Sequence, residues 1–146
     1  MDFVKKDKNI EKMIFLGDFN LNPYDSAMNA ATGLNAMMTR SCASRGTRTL
    51  SYTNYDLYYN PMWSLFGDNT KGPAGTVYDT SNQGPYGWSM LDQVILHHSL
   101  IPFFQDVEIL TSAEQCSLMD KNGHPDVDSF SDHFPILITF CGDDNE

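Results

Sequence analysis

Three short segments of this chain hold side chains able to do acid–base or metal chemistry. The first is Gly17-Asp18-Phe19-Asn20. Asp18 and Asn20, two positions apart at a strand end, can project toward one spot. A carboxylate there takes Mg²⁺ or positions a water, and a carboxamide hydrogen-bonds a phosphate oxygen. The plainer reading is a strand-to-turn junction, where Gly, Asp and Asn are common anyway. The second is Asp92, in Trp88-Ser89-Met90-Leu91-Asp92-Gln93-Val94-Ile95-Leu96. Strand alternation puts it on one face with Met90, Val94 and Leu96. A charge among apolar neighbours is costly without a partner, and a histidine oriented by that carboxylate would supply one. Alternatively, the strand is an edge and Asp92 faces solvent. The third is Ser131-Asp132-His133-Phe134-Pro135-Ile136. Asp132 can ligate a metal, and His133 can contact a phosphate or exchange a proton with it. Taken singly, an Asp-His pair before a strand is ordinary loop sequence.

These segments need rigid mounts, and the apolar pattern indicates which. Met13-Ile14-Phe15-Leu16, ended by Gly17, is a short continuous apolar run that suits a strand buried on both faces. Trp88 to Leu96 reads as one strand, Asp106 to Leu110 as a shorter one, and Phe134 to Phe140 as the last. Leu50 to Thr53 and Thr76 to Asp79 are further strand candidates. Asn22-Pro23-Tyr24-Asp25-Ser26 is turn chemistry, with Asp25 or Ser26 as N-cap of a short helix through Ala27 to Ala31 that Gly33 ends. Phe3 to Lys12 suits the last turns of an amphipathic helix. Gly67 to Gly87 is rich in Gly, Pro and polar residues and reads as a long surface loop, with Trp63 and Trp88 nearby either contacting substrate or buried as core. Many strands with little helix indicate an α+β domain built mainly on antiparallel pairing.

The chain has 146 residues and is 41% hydrophobic, enough for one domain with a real core. Its net charge is −10, and from Gly72 onward Lys121 is the one basic residue against twelve acidic ones. No basic footprint of the kind that binds nucleic-acid phosphates is visible. That argues against an autonomous DNA-binding module but not against a phosphoesterase whose metal supplies local positive charge. Cys42, Cys116 and Cys141 are odd in number and without CxxC spacing, which fits thiols in a reducing compartment better than a disulfide framework. No apolar run approaches the ~20 residues of a membrane span. The N-terminus lacks a secretory signal, so a cytoplasmic location is expected. His97, His98, His124 and the cysteines fit no structural zinc spacing.

Taken together and in this order, GDFN, LDQVIL and SDHFPI resemble the C-terminal part of the endonuclease/exonuclease/phosphatase (DNase I-like) family, over Met13 to Phe140. The resemblance implies a share of a four-layer α/β/β/α sandwich, with helices outside two facing sheets. It implies that Asp18 positions the attacking water, Asn20 binds the phosphate, Asp132 ligates Mg²⁺ or Mn²⁺ (with Asp18 as a further metal ligand), and His133 contacts phosphate oxygens while Asp92 orients its ring. No separate organic cofactor is implied.

Relatives of that kind carry a further half before GDFN, which supplies a metal-binding Glu that has no equivalent here. Residues 1–146 are therefore expected to be one domain's C-terminal portion, a metal-dependent phosphoesterase weak or inactive in isolation. Its substrate would be a nucleic acid or a small phosphoester. The alternative is a non-catalytic interaction or structural module that keeps the scaffold. A sheet face left without its usual cover is expected to seek a second copy, giving a homodimer.

Overall fold

The computed structural model describes residues 12–68, 72–81 and 86–142. The fold is organised around one strand, β8 (Asp92–His97), whose residues from Gln93 to His97 are all buried. A run of Val, Ile and Leu suits a position with neighbours on both faces and both edges. β8 sits second in a four-stranded sheet ordered β1 (Ile14–Asp18), β8, β5 (Tyr58–Tyr59), β2 (Ala36–Met37). β1 and β5 pair with it antiparallel, and β2 pairs with β5 in parallel.

Alternation along β8 sends Val94 and Leu96 to one core and Ile95 to another. The first core also takes Tyr59, Met62, Met90, Phe104 and Val107, and Ile136, Ile138 and Phe140 pack against it. Those last residues come from a second antiparallel sheet, β9 (Phe104–Ile109) with β12 (Ile136–Phe140), so both sheets contribute to one apolar core. The second core is Met28, Ala36, Tyr58 and Ile95, flanked by Phe15, Phe19 and Leu21.

Three hairpins complete the strands: β3 (Thr47–Leu50) with β4 (Thr53–Asp56), β6 (Val77–Asp79) with β7 (Gly87–Ser89), and β10 (Ser112–Ala113) with β11 (Cys116–Ser117). Helix is confined, among the described residues, to α1 (Ser26–Asn29), α2 (Arg40–Ala43) and the 3₁₀ turns Pro61–Leu65 and His98–Leu100. The domain is thus mixed α+β and mostly antiparallel, as the pattern of strands indicates. No described helix is long and apolar enough to cross a membrane.

Several local expectations are corrected. β1 is an edge strand, not one buried on both faces: Ile14 is 45% and Leu16 57% exposed, although their register partners Leu96 and Val94 are fully buried. The apolar layer that covers β8 does not reach over β1. Trp88 to Leu96 is two strands. The break at Met90-Leu91 arises because the Met90 N–H donates to Asn22 Oδ1 at 2.8 Å, while the Leu91 and Asp92 N–H groups donate to Thr76 Oγ1 at 3.2 and 3.1 Å. Leu50 to Thr53 is a hairpin tip, with Ser51 and Tyr52 at φ 48° and 66°, the twist that a two-residue primed turn needs. β9 starts at Phe104 and β12 at Ile136, each two residues from the expected start.

α1 ends at Asn29, before Gly33. Asp25 holds its N-cap position, but the carboxylate accepts from the Asn22 N–H at 2.7 Å and caps nothing. Gly33 serves close approach: a Cβ there would lie 2.2 Å from the Ala27 carbonyl oxygen. The helix expected through Phe3 to Lys12 lies outside the described residues except for Lys12.

Gln93, fully buried on an apolar strand, is satisfied at both ends of its amide. Its Oε1 accepts from Asn60 Nδ2 at 2.7 Å, its Nε2 donates to the Leu21 carbonyl, and Asn60 Oδ1 in turn accepts from the Met62 N–H at 3.0 Å. This chain ties the segment after β1 and the 3₁₀ turn after β5 to the central strand. Gln93→Met, close in volume, leaves Asn60 Nδ2 and the Leu21 carbonyl without partners and is expected to cost about 2–4 kcal/mol. Urea unfolding measures it, and a loss below about 0.5 kcal/mol would show that the network contributes nothing.

Candidate active site

The three chemical segments converge where β1 ends and β8 begins. Asp18 is the last residue of β1 and stands opposite Asp92, the first of β8. β6 brings the third segment in: Val77 bridges His133, and the Phe134 N–H donates to the Thr76 carbonyl at 2.9 Å. Thr76 is fully buried, so one residue sets both the start of β8 and the approach of His133.

The result is a direct contact across 41 residues of sequence: His133 Nδ1 lies 2.7 Å from Asp92 Oδ2. The carboxylate is 17% and the imidazole 26% exposed, so the pair is sheltered but open on one side. Asp92 does share the apolar face of Val94 and Leu96, and the histidine is the partner that makes this tolerable. An ionised carboxylate only accepts, so the proton of a neutral His133 sits on Nδ1 and the lone pair on Nε2.

His133 lines an open cleft of about 520 Å³ together with Asn20, Asp132, Val77, Tyr78 and Asp79. Asp132 is exposed, and no hydrogen bond reaches its carboxylate from the described residues. Asn20 is held at φ 51°, a left-handed conformation that Asn tolerates better than most residues. What holds it is Asp18, whose Oδ1 accepts from the Asn20 N–H at 2.8 Å and whose Oδ2 accepts from Asn20 Nδ2 at 3.3 Å. One of the two Nδ2 hydrogens is thereby used, and the other is left for a ligand. Asp18 itself is exposed and supports the cleft through Asn20, without lining it.

Sequence reasoning missed two residues of this cleft. Tyr78 forms part of its wall and is stacked on His124, with ring centroids 3.6 Å apart and planes 9° from parallel. The His124 loop is in turn closed by Asp120, whose Oδ1 accepts from the His124 N–H at 2.9 Å and whose carboxyl is held below its ordinary range mainly by that bond. The bond therefore stabilises the loop above the ordinary carboxyl range and is lost as pH falls through the lowered value. Asp79 also faces the cleft, but its carboxylate accepts from the Ser81 N–H and hydroxyl. Tyr78 and His124 stand 46 residues apart, so no local pattern in the sequence marks this wall. Of the two tryptophans, Trp88 packs edge-on to Tyr78 and beside Phe134, and neither lines this cleft. A second cleft, of about 470 Å³ between Gly67 and Gly123, has Asp68 as the one ionisable side chain among the described residues that line it.

The donor set suits a hard cation only in part. Asp132 offers a carboxylate at the cleft, but Asp18 is engaged by Asn20, and no third carboxylate or imidazole joins them in a ligand cluster among the described residues. Mg²⁺ is content with one or two carboxylates when phosphate oxygens and water complete the shell, so a weak, substrate-assisted site is what these residues fit.

Removing the carboxylate should free the ring: in Asp92→Ala the proton of neutral His133 is expected to shift to Nε2, the tautomer that isolated imidazole favours. The ¹⁵N shifts of the ring report this directly, and an unchanged tautomer would mean that Asp92 does not control the histidine. Comparison with protein-family models, with curated proteins and with solved structures yields no match, so the family resemblance rests on the three segments themselves.

Proposed function

We propose that the cleft is a phosphoester hydrolysis site, of the metal-dependent kind that the DNase I-like resemblance implies. The observation that carries the reading is the Asp92–His133 pair at 2.7 Å, set beside Asn20 and Asp132 in one cleft. Such a carboxylate–imidazole pair fixes the tautomer and aims Nε2, which then meets a phosphate oxygen or exchanges a proton with it. Asn20 donates its second amide hydrogen to another phosphate oxygen. Asp18 holds Asn20 through its backbone and side-chain N–H groups and so positions the phosphate contact; the resemblance further assigns it the attacking water. Asp132 is the residue that would hold Mg²⁺ or Mn²⁺, and the ion would neutralise charge that develops on the transferred phosphoryl group.

The surface charge of −10 favours a small phosphoester over duplex DNA as substrate. Asp132 is the one cleft carboxylate without a hydrogen bond among the described residues, so the ion is held weakly and turnover is expected to be slow. Hydrolysis of bis(p-nitrophenyl) phosphate with Mg²⁺ or Mn²⁺ tests the proposal. His133→Ala is expected to lower the rate by about 10²–10⁴-fold. Asp132→Asn should weaken the dependence on the cation with folding intact by circular dichroism. Equal rates in the parent and His133→Ala would overturn the assignment.

A second reading, an interaction module that keeps the scaffold, is favoured by one separate observation. Ile14 and Leu16 stand exposed on β1, an edge strand that pairs only with β8 among the described residues. Exposed edges of this kind are templates for pairing, and a second copy laid against the same face would cover them. Light scattering should give a dimer mass at high concentration that Leu16→Glu abolishes. A strictly monomeric parent chain would remove this reading.

A further inference from the structure

β8 carries chemistry at both ends. Five residues after Asp92 begins the strand, His97 ends it on the opposite face, about 16 Å away at strand spacing. There Asp56, His97 and His98 come together, with one ligand atom from each lying within 4.8 Å of the other two. We propose that these three residues form a binding site for a first-row transition-metal ion of the Zn²⁺ type, separate from the hydrolytic cleft.

The three residues come from different elements. Asp56 ends β4, His97 ends β8, and His98 opens the 3₁₀ turn that follows. The pairing of Tyr58 with His97 across β5 and β8 is what brings Asp56 into range. A tetrahedral ion with bonds of about 2.0–2.1 Å needs ligand atoms about 3.3 Å apart, so the cluster needs to contract by at most about 1.5 Å. Its supports are already in place. His97 is 5% exposed, and its Nδ1 lies 2.7 Å from Ser99 Oγ. Nδ1 also accepts from the Ser99 N–H at 3.4 Å; in the tautomer in which Nδ1–H donates to Ser99 Oγ, Nε2 presents the lone pair, as in a ligating histidine. Asn35, buried and at φ 54°, donates from Nδ2 to the Asp56 carbonyl at 2.6 Å and pins the backbone that carries the carboxylate. Tyr58 packs edge-on against the His97 ring, with centroids 5.4 Å apart.

Ligand type decides the ion. Two imidazoles and one carboxylate suit Zn²⁺, Co²⁺ or Ni²⁺ far better than Mg²⁺, which asks for oxygen donors. Three protein ligands leave a fourth position for water or an exchangeable group. A bound ion would clamp the β3–β4 hairpin to the end of β8. The His97 and His98 rings already lie 4.1 Å apart between centroids, and binding would exchange imidazole protons for the ion.

Titration of the untagged full chain with zinc(II) tests the proposal by calorimetry, and cobalt(II) tests it by visible absorption. One ion per chain is expected, with the ¹⁵N resonances of the His97 and His98 rings shifted on zinc addition. Affinity should fall at least tenfold in His98→Ala and in Asp56→Asn, both at half-buried positions, and should persist in His133→Ala and Asp132→Asn. The ring-nitrogen readout uses the parent chain and does not depend on any variant folding. Absence of stoichiometric binding, or binding that leaves the His97 and His98 resonances unmoved (as ligation at His124 or the cysteines would), overturns the proposal.

Discussion

A strand buried on both faces tolerates polar side chains only where each has a partner, and β8 carries three. Asp92 meets His133, Gln93 meets Asn60 and the Leu21 carbonyl, and His97 meets Ser99. Each partner comes from a different part of the chain, so satisfying β8 places four loops at once. The cost of leaving any of these groups unpaired inside the core is what makes the arrangement specific. The fold is thereby arranged around the polar exceptions of its most apolar strand.

The candidate cleft inherits its order from that constraint. Thr76 Oγ1 accepts from the Leu91 and Asp92 N–H groups where β8 begins, and the Thr76 carbonyl accepts from the Phe134 N–H, which delivers His133 to Asp92. Asn22 takes the Met90 N–H, and Gln93 takes the Leu21 carbonyl, so the turn that carries Asn20 is tied to β8 at two points. Asn20, Asp132 and His133 reach the cleft from loops and Val77 to Asp79 from β6, while the Thr76, Asn22 and Gln93 groups that tie these segments to β8 are buried.

Much of this was legible in the sequence where the chemistry is local or the partner is implied by cost. Asp92 in an apolar run required a counterpart, and His133 supplies it. Asp18 and Asn20, two apart after a strand, do meet, although they bond to each other and not to a shared ligand. The Thr76 to Asp79 and Asp106 to Leu110 strands were readable because β-branched and aromatic residues cluster between turn formers. The hairpin tip at Ser51-Tyr52 was not, since neither residue is the Gly or Asn that usually marks a left-handed turn.

The sequence by itself determined that this is a largely antiparallel α+β domain, and that acidic, amide and imidazole groups lie at the ends of its strands. Those features depend on residue type and short-range spacing. Only the tertiary structure decided which apolar run is central. MIFL and QVIL look alike locally, yet one lies at a sheet edge with Ile14 and Leu16 exposed while the other is fully enclosed. It also decided that Asp56 stands with His97 and His98, while His124 stacks on Tyr78 far along the chain from them. Burial and ligand grouping are properties of neighbours, and neighbours across 41 residues are set by sheet order and register, which no short window of sequence contains.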